Sequence, residues 1–182
     1  MEFDPSSLDA RASYRLFTSL VCPRPTFLLS VSGPDGAPVV GPFSYVNGVS
    51  SRPTVMMVAI NPGRDGAKKL ICTCVENRRE FVLAVATPTL LESPAPATRP
   101  ATRVKAPLLA GAPLQMECTL DRTVEVDGGT TVVLGRVVLY HAADAVLKDG
   151  EVDPRAIPWV AQLGPDHSAR VTDLFERKRL PP

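Results

Sequence analysis

The chain alternates short apolar runs with turn residues over most of its length. Leu, Val and Ile dominate these runs, which have the length and composition of buried or half-buried strands. The two longest runs flank the turn Asp127-Gly128-Gly129, a sequence that favours a β-hairpin. Six main strands and one short strand are predicted, at positions 26–32, 37–40, 54–60, 80–86, 114–126, 130–141 and 146–147.

Helical periodicity is limited to two segments. Apolar residues recur every three or four positions from Leu8 to Leu20, so a helix is predicted to start at Pro5 with Asp4 as its N-cap. A second helix is predicted at 67–77, after a turn-rich segment. Strands joined by hairpins, with only two short helices, favour an antiparallel barrel over a βαβ sheet.

Three segments lack such periodicity. The stretch 43–52 mixes aromatic and small polar residues and is predicted to be an irregular polar segment that carries the site candidates. The stretch 87–107 holds five prolines and is predicted to be a largely extended connector. His167 is placed in an irregular loop, in a segment that leads to the basic residues 177–179.

The composition is that of a single globular domain spanning residues 1–182. Lys and Arg total 20 and Asp and Glu total 19, so neither nucleic acid nor an acidic membrane is expected as a partner. No apolar run approaches the length of about 20 residues that a membrane span needs. The four cysteines are scattered and the N-terminus is acidic and polar, so a cytoplasmic location is expected.

The turn 61–69, with the sequence NPGRDGAKK, lies between a predicted strand and a predicted helix. Backbone N–H groups and lysines in such a position can hold a phosphate group. A solvated basic turn explains the same residues. The sequence leaves both interpretations open.

The candidates for metal binding and acid–base chemistry are few. Cys72 and Cys74 have a metal-like spacing, but residues two apart on a helix point to different sides, so no metal site is expected. His141 ends a predicted strand and is interpreted as structural, whereas His167 is the better functional candidate. No serine lies in a nucleophile-elbow context, and the catalytic residues are unknown.

The order of several motifs resembles the flavin reductase-like, FMN-binding split-barrel family, which includes flavoredoxin-like electron carriers. The motifs are PRP before a strand, PFSYVNGVSSRP, a lysine entering the second helix, REFVLAV, MECTL, VLGRVVLYHAADAVLKDGEVDP and QLGPDHSARVTDLFE. The resemblance implies a mainly β fold, a six-stranded antiparallel Greek-key split barrel with a few short helices. It also implies a homodimer, with FMN in a groove at or near the dimer interface.

Within these motifs the resemblance implies a set of cofactor-binding residues. Hydroxyl and amide groups would face the flavin ring and its ribityl chain, and lysines at the start of the second helix would approach the flavin phosphate. A histidine stands where relatives carry an aromatic residue. The set is Ser30, Ser44, Tyr45, Asn47, Ser50, Lys68, Lys69 and His167.

The implied activity is electron transfer from NAD(P)H through FMN to an acceptor. At the start of the second helix the chain departs from the family pattern, because the usual Lys-Asp-Thr is replaced by Lys69-Leu70-Ile71. Polar groups expected beside the phosphate are lost, which is predicted to weaken FMN binding. The alternative is a split-barrel homodimer with a degenerate flavin site, acting as a binding or structural module.

Overall fold

The structure, a computed structural model, describes residues 1–177. Its helices are α1 (Ala10–Leu20), α2 (Leu70–Arg78) and α3 (Pro88–Glu92), with 3-10 turns at Pro5–Ser7, Asp144–Val146 and Pro154–Ala156. Its strands are β1 (Arg24–Pro25), β2 (Phe27–Ser32), β3 (Pro38–Phe43), β4 (Val46–Ser51), β5 (Thr54–Ile60), β6 (Glu80–Val85), β7 (Thr98–Arg99), β8 (Leu108–Leu109), β9 (Leu114–Val126), β10 (Thr130–Ala142), β11 (Leu147–Lys148), β12 (Glu151–Val152), β13 (Val160–Leu163) and β14 (His167–Arg170).

Seven of these strands form one antiparallel sheet in the order β3-β2-β6-β9-β10-β5-β4. The two edge strands, β3 and β4, follow each other in the chain, and Ser44 and Tyr45 link them. The Ala59 N–H donates to the Tyr45 carbonyl at 2.9 Å, which ties this link to β5. The sheet therefore curls on itself with a seam between β3 and β4, and this is the split barrel expected for the family.

The interior of the curled sheet is the main hydrophobic core. Leu29, Val58, Phe81 and Val133, from four different strands, are completely buried in it. Helix α2 adds its own buried side chains to the same core. Both Cys72 and Cys74 belong to this buried set, as free thiols. Helix α2 therefore contributes apolar packing to the barrel interior, and its two cysteines are part of that packing.

The sequence prediction of a mainly β, antiparallel split barrel is confirmed, and the long hairpin β9–β10 lies where it was predicted. The main sheet has seven strands rather than six because part of the segment 43–52 forms β4. After Val46 every residue of β4 is exposed. Small polar side chains are compatible with such a strand, but they give no apolar alternation by which a sequence would reveal it.

Two further boundaries differ from the prediction. The helix predicted from Pro5 is a 3-10 turn capped by Asp4, and α1 itself starts at Ala10 behind a second cap, Asp9. The irregular loop predicted around His167 is wrong, because His167 begins β14, which pairs with β13 in a small sheet that also contains β1. Of the basic segment 177–179, only Arg177 lies within the described residues.

Candidate functional site

A cavity of about 710 Å³ opens beside the barrel seam, where the link between β3 and β4 meets the end of α1 and the β1 segment. We call it the seam cavity. Its wall is mainly apolar and includes Phe17, Val21, Val126 and Val132. Its volume falls within the range of about 300–1,000 Å³ that is usual for small-molecule sites, and such sites combine apolar walls with a few polar groups.

Three of the eight predicted site residues lie in this wall. They are Ser44, Tyr45 and Asn47, all from the link or from the start of β4. The link has to leave one sheet edge and join the other, so its side chains face the opening rather than a neighbouring strand. The fold therefore brings together the central part of the predicted motif.

Arg24 fixes the geometry of this region. Its guanidinium group donates to the carbonyl oxygens of Thr18 at 2.7 Å, Val21 at 2.5 Å and Gly164 at 2.8 Å, and its Nε donates to Ser44 Oγ at 3.3 Å. Two of these carbonyls lie at the C-terminal end of α1, where the helix dipole favours a cation. Arg24 is only 5% exposed and thus joins the helix end, the loop at Gly164 and the β3–β4 link.

Tyr45 forms an aromatic part of the wall. Its ring meets the Phe17 ring edge-on, with 5.9 Å between centroids, and the Arg24 guanidinium carbon lies 5.5 Å from its centroid. Burial raises the pKa of the Tyr45 phenol, the nearby Tyr14 adds to that rise, and Arg24 partly opposes it. The phenol therefore keeps its proton at neutral pH and offers a neutral O–H group.

Two amide side chains complete the polar part of the wall. Asn47 accepts a hydrogen bond from the Gly48 N–H at 2.9 Å through Oδ1. Its amide nitrogen is a separate donor group, which can bind a ligand in the cavity. Asn61 accepts a hydrogen bond from Thr130 Oγ1 at 3.0 Å. A ligand in the cavity would meet the polar groups of Ser44 and Asn47 and the Tyr45 ring.

The other predicted hydroxyl and imidazole groups lie outside this wall. Ser30 is completely buried in the middle of β2, and its hydroxyl has no hydrogen-bond partner among the described residues. Ser50 lies on the exposed face of β4, where its Oγ accepts from the Arg52 N–H at 3.3 Å. His167 is exposed at the start of β14 and is paired in register with Leu163.

The two predicted phosphate-binding lysines also lie outside the cavity wall. Lys68 Nζ contacts Glu76 Oε1 at 2.8 Å and Glu125 Oε1 at 3.0 Å. Hydrogen bonds to Glu76 and then to Glu125 raise the pKa of Lys68 and keep it charged. The charge of this lysine is therefore already paired with two carboxylates. Lys69 occupies the N-cap position of α2, and its side chain is exposed.

Arg24, Asn61 and Thr130 belong to the wall but were not among the predicted site residues. Arg24 stands between two prolines, which suggested only an extended backbone, and Asn61 begins a turn. The prolines on either side of Arg24 are a sequence feature that could have drawn attention to this residue. Its significance depends on contacts with residues as distant in sequence as Gly164.

Within residues 1–177, no group of three or more His, Cys, Asp or Glu side chains is arranged to hold a metal ion. None of the helices in that same range has the length and apolar character needed to cross a membrane.

Comparison with proteins of known sequence finds relatives along the whole chain. A protein of Halalkalibacterium halodurans is 25% identical over 201 residues, covering 98% of this chain and 96% of that protein. A protein of Deinococcus radiodurans is 30% identical over 204 residues, covering 98% of this chain and 89% of that protein. The chain therefore matches these relatives over nearly their full length.

Solved structures share the fold at low sequence identity. Nitrilotriacetate monooxygenase component B from Bacillus cereus superposes with a TM-score of 0.90 at 20% identity, covering 97% of this chain and 98% of that chain. The 2-nitrobenzoate 2-nitroreductase NbaA of Pseudomonas fluorescens gives 0.87 at 20% identity, covering 100% and 96%. The NADH:FAD oxidoreductase SgcE6 of Streptomyces globisporus gives 0.73 at 18% identity, covering 98% and 96%.

A sequence model of a domain family agrees with these structural neighbours. The model for the flavin reductase like domain matches residues 19–154, a span that runs from the end of α1 to the 3-10 turn after β12. It includes the β3–β4 link and most of the seam-cavity wall. With this match over most of its length and a split-barrel fold, the chain belongs to the flavin reductase-like domain family.

Proposed function

We propose that the chain binds FMN in the seam cavity and works as a flavin reductase-like oxidoreductase, transferring electrons from NAD(P)H through flavin to an acceptor. The observation that carries this proposal is the convergence of Ser44, Tyr45 and Asn47 on one apolar cavity of about 710 Å³. Membership of the family supports flavin binding, and the structural neighbour SgcE6, an NADH:FAD oxidoreductase, supports a nicotinamide electron donor.

The residues present fit the flavin ring. An isoalloxazine has two apolar faces and a polar edge, and the wall offers apolar side chains such as Val126 and Val132 with donors grouped at Ser44 and Asn47. Tyr45 supplies a neutral aromatic surface beside them. A planar ring with acceptor atoms along one edge matches this arrangement of an apolar pocket and a few placed polar groups.

Each residue has a separate task in this proposal. Ser44 and Asn47 would orient the polar edge of the ring, and Tyr45 and Phe17 would cover part of one face and exclude water. Arg24 would hold Ser44 and the end of α1 in place. When bound, the flavin itself supplies the hydride-accepting chemistry, while the protein positions the ring.

The phosphate end of FMN is held less well by these residues. Arg24 is the one charged residue in the described wall, and Lys68 is already engaged by Glu76 and Glu125. Lys69 is exposed at the start of α2 and remains the predicted phosphate ligand. We therefore expect FMN to be held mainly through its ring, as a readily exchanged ligand.

Absorbance spectra and titration of the purified protein with FMN test the proposal directly. Binding should change the fluorescence intensity of FMN. The Ser44→Ala variant should bind FMN about tenfold more weakly, because one hydrogen bond to the ring is lost. The matched control is Ser93→Ala, since Ser93 lies outside the seam cavity. A protein that stays colourless and gives no calorimetric signal with FMN would refute the proposal.

A binding or structural module with a degenerate flavin site is the second candidate. It is favoured by the ion pairs of Lys68 and by Ile71, which is buried in the core where the family pattern has a polar residue. NAD(P)H oxidation that is stimulated by added FMN would exclude this candidate. Added FMN that leaves NAD(P)H oxidation unchanged, together with an intact dimer, would favour it.

We also propose that the chain pairs as a homodimer through the region of β4. This strand is a sheet edge that bonds only to β5 in the described sheet, and Val49 on it is 55% exposed. An unprotected edge and exposed apolar side chains such as Tyr14 and Phe17 on the nearby helix α1 are features of a surface that binds another copy. Static light scattering that gives a monomeric mass would contradict this.

A cytoplasmic location is part of the proposal. All four cysteines are free thiols, and Cys22 is exposed. Exposed free thiols are stable in a reducing compartment, whereas proteins of oxidising compartments tend to pair them. Fractionation of cells that express the chain from its own gene would test this location.

A further inference from the structure

Arg24 is a buried cation without a carboxylate partner among the described residues. Its hydrogen-bond partners are three backbone carbonyls and one serine hydroxyl, and no described salt bridge includes it. Carbonyl dipoles stabilise the guanidinium group but leave its unit charge uncompensated. This charge lies in the wall of the seam cavity, and the other residues of that wall are uncharged.

The contact between Arg24 and Ser44 also fixes the direction of a hydrogen bond. Nε of arginine always carries its proton, so in the 3.3 Å contact the Ser44 oxygen accepts. The hydroxyl proton of Ser44 must then point elsewhere, and the described residues give it no acceptor. Ser44 is part of the cavity wall, so its O–H group is available as a donor to a ligand.

From these two observations, and resting on the flavin site proposed above, we propose that Arg24 is a positioning and specificity-determining residue. It turns Ser44 into a hydrogen-bond donor toward the cavity, and its charge makes the cavity prefer reduced flavin over oxidised flavin. Reduced flavin carries negative charge on the pyrimidine half of its ring in mildly alkaline solution, whereas the oxidised ring is neutral. A fixed cation in a water-poor wall stabilises the charged form selectively.

The preference has a chemical consequence for the site. A protein that holds reduced flavin more tightly than oxidised flavin makes the bound ring easier to reduce, because differential binding shifts the equilibrium toward the favoured form. The same charge adds little to the binding of the neutral oxidised ring. Arg24 therefore acts on the difference between the two forms, which a residue that only maintained the fold would not change.

The test compares dissociation constants of oxidised FMN and of FMN reduced with dithionite, both measured anaerobically in mildly alkaline buffer. The wild-type chain should bind reduced FMN about tenfold more tightly than oxidised FMN. Arg24→Met should lose most of this ratio, whereas Arg24→Lys, which keeps the charge, should retain most of it. Ser44→Ala should weaken both forms and leave the ratio nearly unchanged.

A second pair of variants avoids changes to Arg24 itself, in case its removal prevents folding. Val21 lies in the cavity wall with its side chain 45% exposed, so Val21→Glu adds a carboxylate near Arg24, and Val21→Gln is the neutral control. The glutamate should lower the ratio several-fold and the glutamine should not.

The outcomes separate this inference from the proposed function. A wild-type protein that binds both forms equally, or a ratio that Arg24→Met and Val21→Glu leave intact, would overturn the inference while the flavin site stands. A wild-type protein that binds neither form would overturn the proposed function and the inference together. A ratio that follows the charge in both variant pairs supports the inference.

Discussion

Two buried charges, on Arg24 and Glu117, are satisfied by the backbone in opposite ways. Arg24 donates to carbonyl oxygens, whereas the completely buried Glu117 carboxylate accepts from the backbone N–H groups of residues 102–104 at 2.6–2.9 Å and contacts His141 Nε2 at 2.6 Å. The contact with an ionised carboxylate requires His141 to carry a proton on Nε2. Glu117 thus anchors the proline-rich connector to β9, and His141 has a structural contact.

Replacing Glu117 with glutamine should lower the free energy of unfolding by about 3 kcal/mol at neutral pH, since buried N–H donors lose a charged acceptor. Burial by itself raises the pKa of Glu117. The hydrogen bonds from the backbone N–H groups and from His141 lower it by more, so the net pKa lies below its usual 4.5. The stabilisation is therefore present above about pH 4.5 and is lost as the pH falls through the lowered pKa.

Urea denaturation of wild type and Glu117→Gln as a function of pH measures this effect. The difference in unfolding free energy should shrink once the pH drops below that usual value. Glu92→Gln, at an exposed carboxylate of α3, serves as the control and should differ little from wild type at any pH. A Glu117 difference that stays constant into acid would show that the carboxylate charge is not its source.

Gly135 is required by close packing inside the barrel. A Cβ atom at this position would collide with the Phe81 ring and would lie 3.3 Å from Cys118 Cβ. Gly135→Ala should therefore destabilise the fold by about 1–3 kcal/mol through overpacking. Thermal or urea denaturation measures the loss, and Gly41→Ala, where the nearest contacts are an ordinary 3.5 Å, is the matched control. Equal losses in the two variants would contradict this explanation.

At the scale of elements, α1 connects stability with the site. Its N-terminus is capped by Asp9, whose carboxylate accepts from the Ala12 N–H at 2.7 Å, and carbonyls at its C-terminal end are held by Arg24. The helix therefore has polar partners at both ends, and the seam cavity depends on the second of them. The N-cap was missed in the sequence because Asp4-Pro5 is an equally good start signal, with Asp4 five residues before Asp9.

Asp9→Ala should lower stability by about 1 kcal/mol, the usual cost of removing an N-cap from a helix. Asp4→Ala removes a similar contact, but Asp4 caps only a single 3-10 turn, so a smaller loss is expected. Chemical denaturation of both variants under identical conditions is the measurement. A greater loss for Asp4→Ala would show that the 3-10 turn, and not α1, holds this end of the chain.

At the scale of the whole molecule, the barrel ends at two sheet edges, β3 and β4, and each edge has a different character. β3 carries Pro38 and Pro42, which lack N–H groups and protect an edge against further pairing. β4 has no proline and no charged residue in its range Val46–Ser51. This asymmetry favours β4 over β3 as the interface of the proposed homodimer.

Val49→Lys is therefore expected to shift the proposed dimer toward monomer, since a lysine on an edge strand opposes pairing with a second copy. Light scattering coupled to gel filtration, over a range of protein concentrations, measures the shift. Val152→Lys introduces the same charge at an exposed valine on β12, away from β4, and should leave the mass unchanged. If both variants stay dimeric, the interface lies elsewhere.

The candidate site was only partly predictable. Ser44, Tyr45 and Asn47 are contiguous in one motif, so local sequence sufficed to select them, and the structure brings them into one cavity. Lys68 was predicted as a cation for phosphate, but Glu76 and Glu125 already engage it, and Glu125 lies 57 residues away. The contact with Glu125 depends on how the segment before α2 packs against β9, which a single sequence does not specify.

By itself the sequence determined the fold class, the long β9–β10 hairpin, the second helix and the polar motif of the site. These follow from local periodicity, turn chemistry and residue type, which act over a few neighbouring residues. The tertiary structure alone decided that β4 is a strand, that Arg24 joins α1, Gly164 and Ser44, and that Lys68 is ion-paired with carboxylates. Those features depend on contacts between segments far apart in the chain, which only the closed sheet brings within reach of each other.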